Sequence, residues 1–130
     1  MNAVSFLFLR LAIGASFFGH GLVRLPKLHA FSGWMVGSFQ KSMLPEALVT
    51  PFSYALPVAE FIVGLLLLAG LFTRGAAIGG CIIMVLLIFG TCLIENWEAL
   101  TSQLVHVALL VIVLQFIQSN SWAVDRVIKN

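Results

Sequence analysis

Residues 52–71 read FSYALPVAEFIVGLLLLAGL, a run of twenty residues in which Glu60 is the only charge. About 20 apolar residues in a helix are enough to cross the hydrocarbon core of a bilayer. Three further runs of similar length and character lie at 4–23, 76–94 and 100–117. In lipid, every backbone polar group must be paired within the protein, and runs without alternation favour helices over barrel strands. The sequence therefore predicts an all-α protein with four transmembrane helices.

The overall composition supports a membrane protein and excludes several other classes. Of 130 residues, 61% are hydrophobic and 9% are charged, whereas a soluble domain has about 25% charged residues. The net charge of +2 and the absence of basic runs argue against nucleic-acid binding. The first run lacks a basic start and a small-residue cleavage site, so we expect a retained span. The four spans use nearly the whole chain, which predicts a single domain over residues 1–130.

The connections between the spans predict how they are arranged. The second and third connections are short, so neighbouring helices should be antiparallel and form an up-down bundle. The first connection, residues 25–51, is longer and has apolar residues at helical spacing: Phe31, Trp34, Met35 and Phe39. Two interpretations stay open for it. One is a short amphipathic helix in the headgroup plane, and the other is a loop that caps the bundle.

The charges outside the spans bear on orientation. Three cations lie on the side of both termini, namely Arg74, Arg126 and Lys129. Three lie on the other side, namely Arg24, Lys27 and Lys41. Arg10 lies nearer the termini, and the positive-inside rule then favours cytoplasmic termini.

Small residues in the third span recur four residues apart. Gly75 pairs with Gly79, and Ala76 pairs with Gly80. Such pairs let helix backbones approach closely. They predict either packing inside the monomer or the interface of a homo-oligomer.

Arg10 and Glu60 are the charges inside the spans, where a charge is costly unless it is paired or useful. Arg10 shares a helix face with Gly14 and Gly21, and Glu60 shares one with Gly64. Counting from the span ends gives an axial offset of about 9 Å between the two charges. We therefore expect an Arg10–Glu60 contact. The pair then either holds the bundle together or supports Glu60 as a proton-handling or ligand-anchoring carboxylate.

A second group of polar residues falls at one membrane face. It consists of the ends of spans one and three and the start of span four: His20, Cys92, Glu95, Gln103 and His106. With Glu60, these side chains can face one half of a bundle, as cofactor sites in four-helix bundles do. Histidine and carboxylate suit a quinone head group, and two histidines suit haem iron. A zinc or copper ion would use His20, His106, Glu95 and Cys92, although no C-x-x-C or H-E-x-x-H motif supports a metal.

Three segments resemble the DoxX family of small four-helix membrane proteins. They are LRLAIG at 9–14, GHGLVRL at 19–25 and AEFIVGLLLLAGLFTR at 59–74. Arg24 stands where the family usually has lysine, and only Asp125 fits the family's C-terminal element. The resemblance covers the chain up to about Thr91. It implies the four-helix fold and one of several roles: the membrane subunit of a thiosulfate:quinone oxidoreductase, a membrane anchor for thiol-redox or detoxifying enzymes, or an assembly helper.

These observations lead to one function hypothesis and two alternatives. The hypothesis is a membrane redox subunit, of a bacterial inner membrane, that handles a quinone with electrons from a partner protein. Glu60 and His20 would act on the head group with Arg10 fixing Glu60, and His106 and Gln103 would add binding contacts. The alternatives are a non-enzymatic scaffold or assembly helper and a protein that binds haem or metal through histidine.

Overall fold

A computed structural model describes residues 1–129, and its elements are helical throughout that range. Six α-helices follow one another: α1 (Ala3–Arg24), α2 (Leu28–Phe39), α3 (Glu46–Ala69), α4 (Thr73–Leu93), α5 (Trp97–Gln115) and α6 (Val124–Ile128). Single 3₁₀ turns lie at Leu25–Lys27 and Ile117–Ser119. The continuous helical stretch Ala3–Phe39, together with α3, α4 and α5, is long and apolar enough to span a membrane. The prediction of an all-α protein with four transmembrane helices is confirmed.

The second span begins earlier than the sequence predicted. Helix α3 starts at Glu46, six residues before Phe52, and it continues through Pro51 and Pro57. Proline usually marks a helix boundary, but in membrane helices neighbouring groups take over the freed backbone partners. Glu60 consequently lies in the second half of a 24-residue helix rather than near its start.

Helix α1 packs most extensively against α3, and glycines allow the two backbones to touch. A Cβ on Gly64 would lie 2.1 Å from the backbone nitrogen of Phe18, and a Cβ on Gly21 would lie 2.5 Å from that of Phe61. Gly14 meets Leu68 in the same way, at 3.1 Å. The predicted faces of small residues and charges on the two helices therefore do pack together.

Helices α4 and α5 complete the bundle. Helix α4 packs against α3 and α5, and α5 returns to α1. The core between them is formed by apolar side chains from all four helices, including Phe17, Leu67, Ala77, Leu110 and Val113. Of the small-residue pairs, Ala76 is buried and Gly80 lies against Leu110 and Phe17. The Ala76–Gly80 pair thus packs inside the monomer.

The connection between the first two spans contains helix α2, so of the two interpretations left open the structure shows a helix rather than a loop. Helix α2 packs along the first half of α3, where the hydroxyl groups of Ser32 and Ser53 are 2.6 Å apart. Met35 joins Val49 and Leu56 in a second small core. Phe39 reaches as far as Gly90 of α4. Helix α2 is therefore one wall of the space enclosed at this end of the bundle.

The C-terminal segment closes the opposite end. Asp125 accepts hydrogen bonds from the backbone N–H groups of Phe72 and Thr73 at 2.7 and 2.9 Å, and its own N–H donates to Gly70 O at 2.9 Å. Desolvation raises the pKa of Asp125, but these hydrogen bonds outweigh it and hold the pKa below its ordinary value. The Ser119 hydroxyl donates to Met1 O at 2.6 Å, so both chain ends lie at this end of the bundle.

Candidate functional site

Arg10 does not contact Glu60, and the predicted Arg10–Glu60 contact is wrong. Arg10 is buried at the end of the bundle that holds the termini. Its guanidinium donates to Leu67 O at 2.6 Å, Leu68 O at 3.1 Å and Trp122 O at 2.7 Å. Two of these carbonyl groups belong to the last turn of α3, where helix carbonyls lack partners within the helix. Arg10 therefore ties α1 to the end of α3 and to the C-terminal segment, away from Glu60.

Arg24 is the partner of Glu60. Its Nη1 lies 2.9 Å from Oε2 and 3.2 Å from Oε1 of the carboxylate. The Glu60 side chain is 3% exposed and that of Arg24 is 26% exposed. The guanidinium carbon of Arg24 also lies 4.5 Å from the ring centre of Phe31 on α2. One cation thus connects the end of α1, the middle of α3 and helix α2.

The helix register explains why the sequence favoured the wrong arginine. Gly21 lies opposite Phe61 and Gly64 lies opposite Phe18, so Glu60 is level with the last turn of α1. Arg10 is about twelve residues from that level, or about 18 Å along the helix. The sequence estimate was half this value because it placed the start of the second span level with the end of the first, whereas the first half of α3 extends past the end of α1 and packs against α2. Arg24 follows His20 by four residues and so shares its helix face, which is the signal that identifies it.

The two histidines meet through Ser16 at the same level. Their ring centres are 6.1 Å apart. His106 donates from Nδ1 to Ser102 O at 2.6 Å, so its Nε2 accepts from the Ser16 hydroxyl at 2.6 Å. His20 donates from Nδ1 to Ser16 O at 2.7 Å, which in the neutral ring leaves Nε2 as an acceptor for a ligand.

A cavity of about 430 Å³ lies between helices α1 to α5 and is lined by four residues of the predicted polar group. His20, Glu60, Gln103 and His106 all line it, together with Arg24. The Gln103 amide donates to the Thr91 hydroxyl at 2.9 Å. The other walls are aromatic and aliphatic and include Phe31, Met35, Phe39, Val49, Phe52 and Leu56. Volume and lining both fall within the range of small-molecule sites in proteins.

Part of the cavity wall is on the lipid-facing surface of the helices. Trp34, Leu48, Leu86 and Phe89 line the cavity and are each more than half exposed. Exposed apolar side chains in a transmembrane region contact lipid. The cavity is thus open to the bilayer along its apolar wall.

The structure does not bring together the four residues predicted to hold a zinc or copper ion, namely His20, His106, Glu95 and Cys92. Cys92 and Glu95 do not line the cavity. Gly90 and Thr91 occupy the inward side of α4 at this level, and Glu95 lies beyond the helix end on an exposed turn. Within residues 1–129, no group of three or more His, Cys, Asp or Glu side chains is arranged to hold a metal ion. Both ring nitrogens of His106 have protein partners, so the two histidines do not present a free nitrogen pair to haem iron.

The fold and the apolar helices define a multi-pass integral membrane protein built on a four-helix bundle. The family model described as DoxX matches residues 5–92, more than half of the chain. The chain therefore belongs to the DoxX family. Curated proteins and solved structures include none that matches it.

Proposed function

We propose that the cavity binds the head group of a membrane quinone and that the protein is the membrane subunit of a quinone-linked redox system. The observation that carries this proposal is the ion pair between the buried Glu60 and the partly exposed Arg24 in the wall of a mainly apolar cavity of about 430 Å³. A quinone has the matching character, since its ring and tail are apolar and its two carbonyl oxygens accept hydrogen bonds. Arg24 and Gln103 supply donors for those oxygens.

The open side of the cavity supports a ligand that arrives from lipid. A quinone with a long apolar tail can insert its head between the helices while the tail stays in the bilayer beside Trp34 and Phe89, which are exposed wall residues. A water-soluble ligand would gain nothing from this apolar entrance. The buried Glu60, with the Arg24 that it holds, then favours a head group that points toward α3.

Reduction of a quinone to a quinol consumes two electrons and two protons. In our proposal a partner protein supplies the electrons, and the two protons pass from water to the quinone oxygens through the polar wall of the cavity. His20 suits proton transfer because its Nε2 can take up a proton from water and pass it to a quinone oxygen while Nδ1 keeps its hydrogen bond to Ser16 O. Glu60 has a different part, since its carboxylate accepts from Arg24 and so holds the guanidinium at the cavity wall as a donor to a quinone oxygen. Arg10 has no part in this chemistry, since its guanidinium is committed to three backbone carbonyls.

The test measures the binding of a short-tailed quinone to the purified protein. Quenching of Trp34 fluorescence reports the binding. Trp34 is the tryptophan among the cavity-lining residues. We expect Glu60→Gln to weaken binding at least about tenfold, because a neutral amide holds the Arg24 guanidinium in its donating position less firmly than a carboxylate does, and a hydrogen bond to a charged group contributes about 1.5–3 kcal/mol. Gln keeps the shape of Glu and an acceptor for Arg24, so the bundle should remain folded.

The matched control is Glu98→Gln, which makes the same chemical change at an exposed position of α5 outside the cavity. It should bind quinone like the wild type. If Glu60→Gln and Glu98→Gln bind equally well, the role assigned to Glu60 is wrong. If the wild type does not bind quinone at all, the alternative of a non-enzymatic scaffold or assembly helper replaces the redox subunit.

We also propose that the membrane is a bacterial inner membrane and that both termini are cytoplasmic. Arg24 is neutralised by Glu60, which leaves Lys27 and Lys41 as the cations of its face. Three cations, Arg74, Arg126 and Lys129, remain at the face of the termini. The positive-inside rule then favours this face for the cytoplasm.

A further inference from the structure

A second, smaller cavity of about 200 Å³ lies at the face of the termini, at the opposite end of the bundle from Glu60. It is formed where α4 begins, α5 has ended and α6 crosses the surface. Three cations line it, namely Arg74, Arg126 and Lys129, and Asp125 is the carboxylate among them. Both oxygens of Asp125 already accept backbone N–H groups.

The cations of this cavity are available to a ligand. Arg74, Arg126 and Lys129 are exposed, and within residues 1–129 the salt bridge of the protein joins Arg24 and Glu60 instead. Positive side chains at the edge of a membrane attract anionic lipid head groups, with about 1 kcal/mol for each Lys or Arg near the surface. Arg in particular matches the geometry of phosphate oxygens.

Asn120 adds a second and independent feature. It lines the same cavity, is 7% exposed, and donates from its amide nitrogen to the Thr73 hydroxyl at 3.0 Å. Its Oδ1 has no hydrogen-bond partner among the described residues. A buried acceptor without a donor is unfavourable, so a ligand that carries a hydroxyl donor would satisfy it.

We propose that this cavity is a binding site for an anionic phospholipid whose head group carries hydroxyl groups, of the phosphatidylglycerol class. The phosphodiester lies among Arg74, Arg126 and Lys129, and a glycerol hydroxyl donates to Asn120 Oδ1. A bound lipid would connect the start of α4 to the C-terminal segment through surface cations. Asp125 already connects the same two segments through its hydrogen bonds to Phe72 and Thr73. The site is independent of the quinone cavity, so either proposal can fail without the other.

The test is native mass spectrometry of the detergent-solubilised protein with three lipids and one salt as probes. They are phosphatidylglycerol, phosphatidylmethanol, phosphatidylcholine and inorganic phosphate. Phosphatidylglycerol should bind most tightly, by about 3- to 10-fold over phosphatidylmethanol, which has the same charge but no hydroxyl donor. Binding should weaken as salt is raised, because the attraction is electrostatic and partly exposed.

Variants identify the site. The double variant Arg74→Gln with Arg126→Gln should weaken phosphatidylglycerol binding about 30-fold, from the loss of two surface cations. The control Lys27→Gln with Lys41→Gln removes the same charge from exposed positions at the other face and should bind like the wild type.

Several outcomes would overturn this assignment. Equal binding of phosphatidylglycerol and phosphatidylcholine would show that the site does not select an anionic lipid. Unchanged binding by Arg74→Gln with Arg126→Gln would show that the lipid binds somewhere other than this cavity. Displacement of the lipid by an equal concentration of inorganic phosphate would make it a site for free phosphate. If phosphatidylmethanol binds as tightly as phosphatidylglycerol, Asn120 does not accept a hydrogen bond from the lipid. The comparison of lipids on the wild type decides the question even if the double variant does not fold.

Discussion

Gly64→Ala tests whether the contact between α1 and α3 determines both the stability of the bundle and the shape of the quinone cavity. An alanine Cβ at this position would lie 2.1 Å from the nitrogen and 2.5 Å from the Cα of Phe18. Ordinary contact begins at about 3.4 Å, and the obstructing atoms are backbone, so the two helices must separate by about 1 Å. Overpacking of a core costs about 1–3 kcal/mol. We expect the upper end of that range, about 3 kcal/mol, because a backbone cannot rotate away as a side chain does.

The same separation should disturb ligand binding. Glu60 is four residues from Gly64 on α3, and Arg24 approaches it from α1 at 2.9 Å. A shift of about 1 Å between these helices lengthens that hydrogen bond beyond its normal range. Quinone binding to Gly64→Ala should therefore weaken along with the thermal stability of the protein in detergent.

Gly79→Ala is the matched control for this experiment. It makes the same substitution inside α4, but its nearest new contact is a methyl group of Val63 at 3.8 Å. Alanine favours helix over glycine by about 1 kcal/mol in soluble helices, so this variant should be at least as stable as the wild type. If Gly64→Ala and Gly79→Ala unfold at the same temperature, α1 and α3 do not pack closely enough at Gly64 to exclude a methyl group.

Two further predictions concern Arg10 and the orientation of the chain. Arg10→Met should destabilise the protein by about 3 kcal/mol in thermal unfolding, because three charge-assisted hydrogen bonds are lost and the cost of burying a charge is only partly recovered. Its folded fraction should bind quinone like the wild type, and a loss of affinity as large as that of Glu60→Gln would show that Arg10 acts on the site. A reporter that fluoresces only in the cytoplasm should be bright when fused after the last residue and dark when inserted at Lys41, and the opposite pattern would reverse the orientation.

The charged side chains at the two ends of the bundle have different kinds of partner. At the end of the termini, Arg10 and Asp125 bind backbone groups at the α3–α4 turn and hold the C-terminal segment against it. At the other end, Arg24 and Glu60 bind each other at the wall of a cavity. Two arginines on one helix thus have different partners, Arg10 a set of backbone carbonyls and Arg24 the carboxylate of the proposed site, because different parts of α3 lie opposite them.

The amino-acid sequence by itself determined the class of the protein and the residues worth attention. Long apolar runs must become helices in lipid, since nothing else there pairs the backbone, and short turns must make neighbours antiparallel. Depth along a span follows from counting residues, so His20, Glu60, Gln103 and His106 were predicted to face one half of the bundle, and the structure brings them to one cavity.

Only the tertiary structure decided which charges meet and which faces turn inward. The partner of Glu60 depends on the axial register between α1 and α3, and that register is set by Gly21, Gly64 and the residues they touch, not by the ends of the apolar runs. Cys92 has the right depth but lies on the wrong side of α4, and Glu95 lies beyond the end of that helix. Depth is a property of one helix and can be read along the chain, whereas register and rotation are properties of a pair of helices and appear only when they pack.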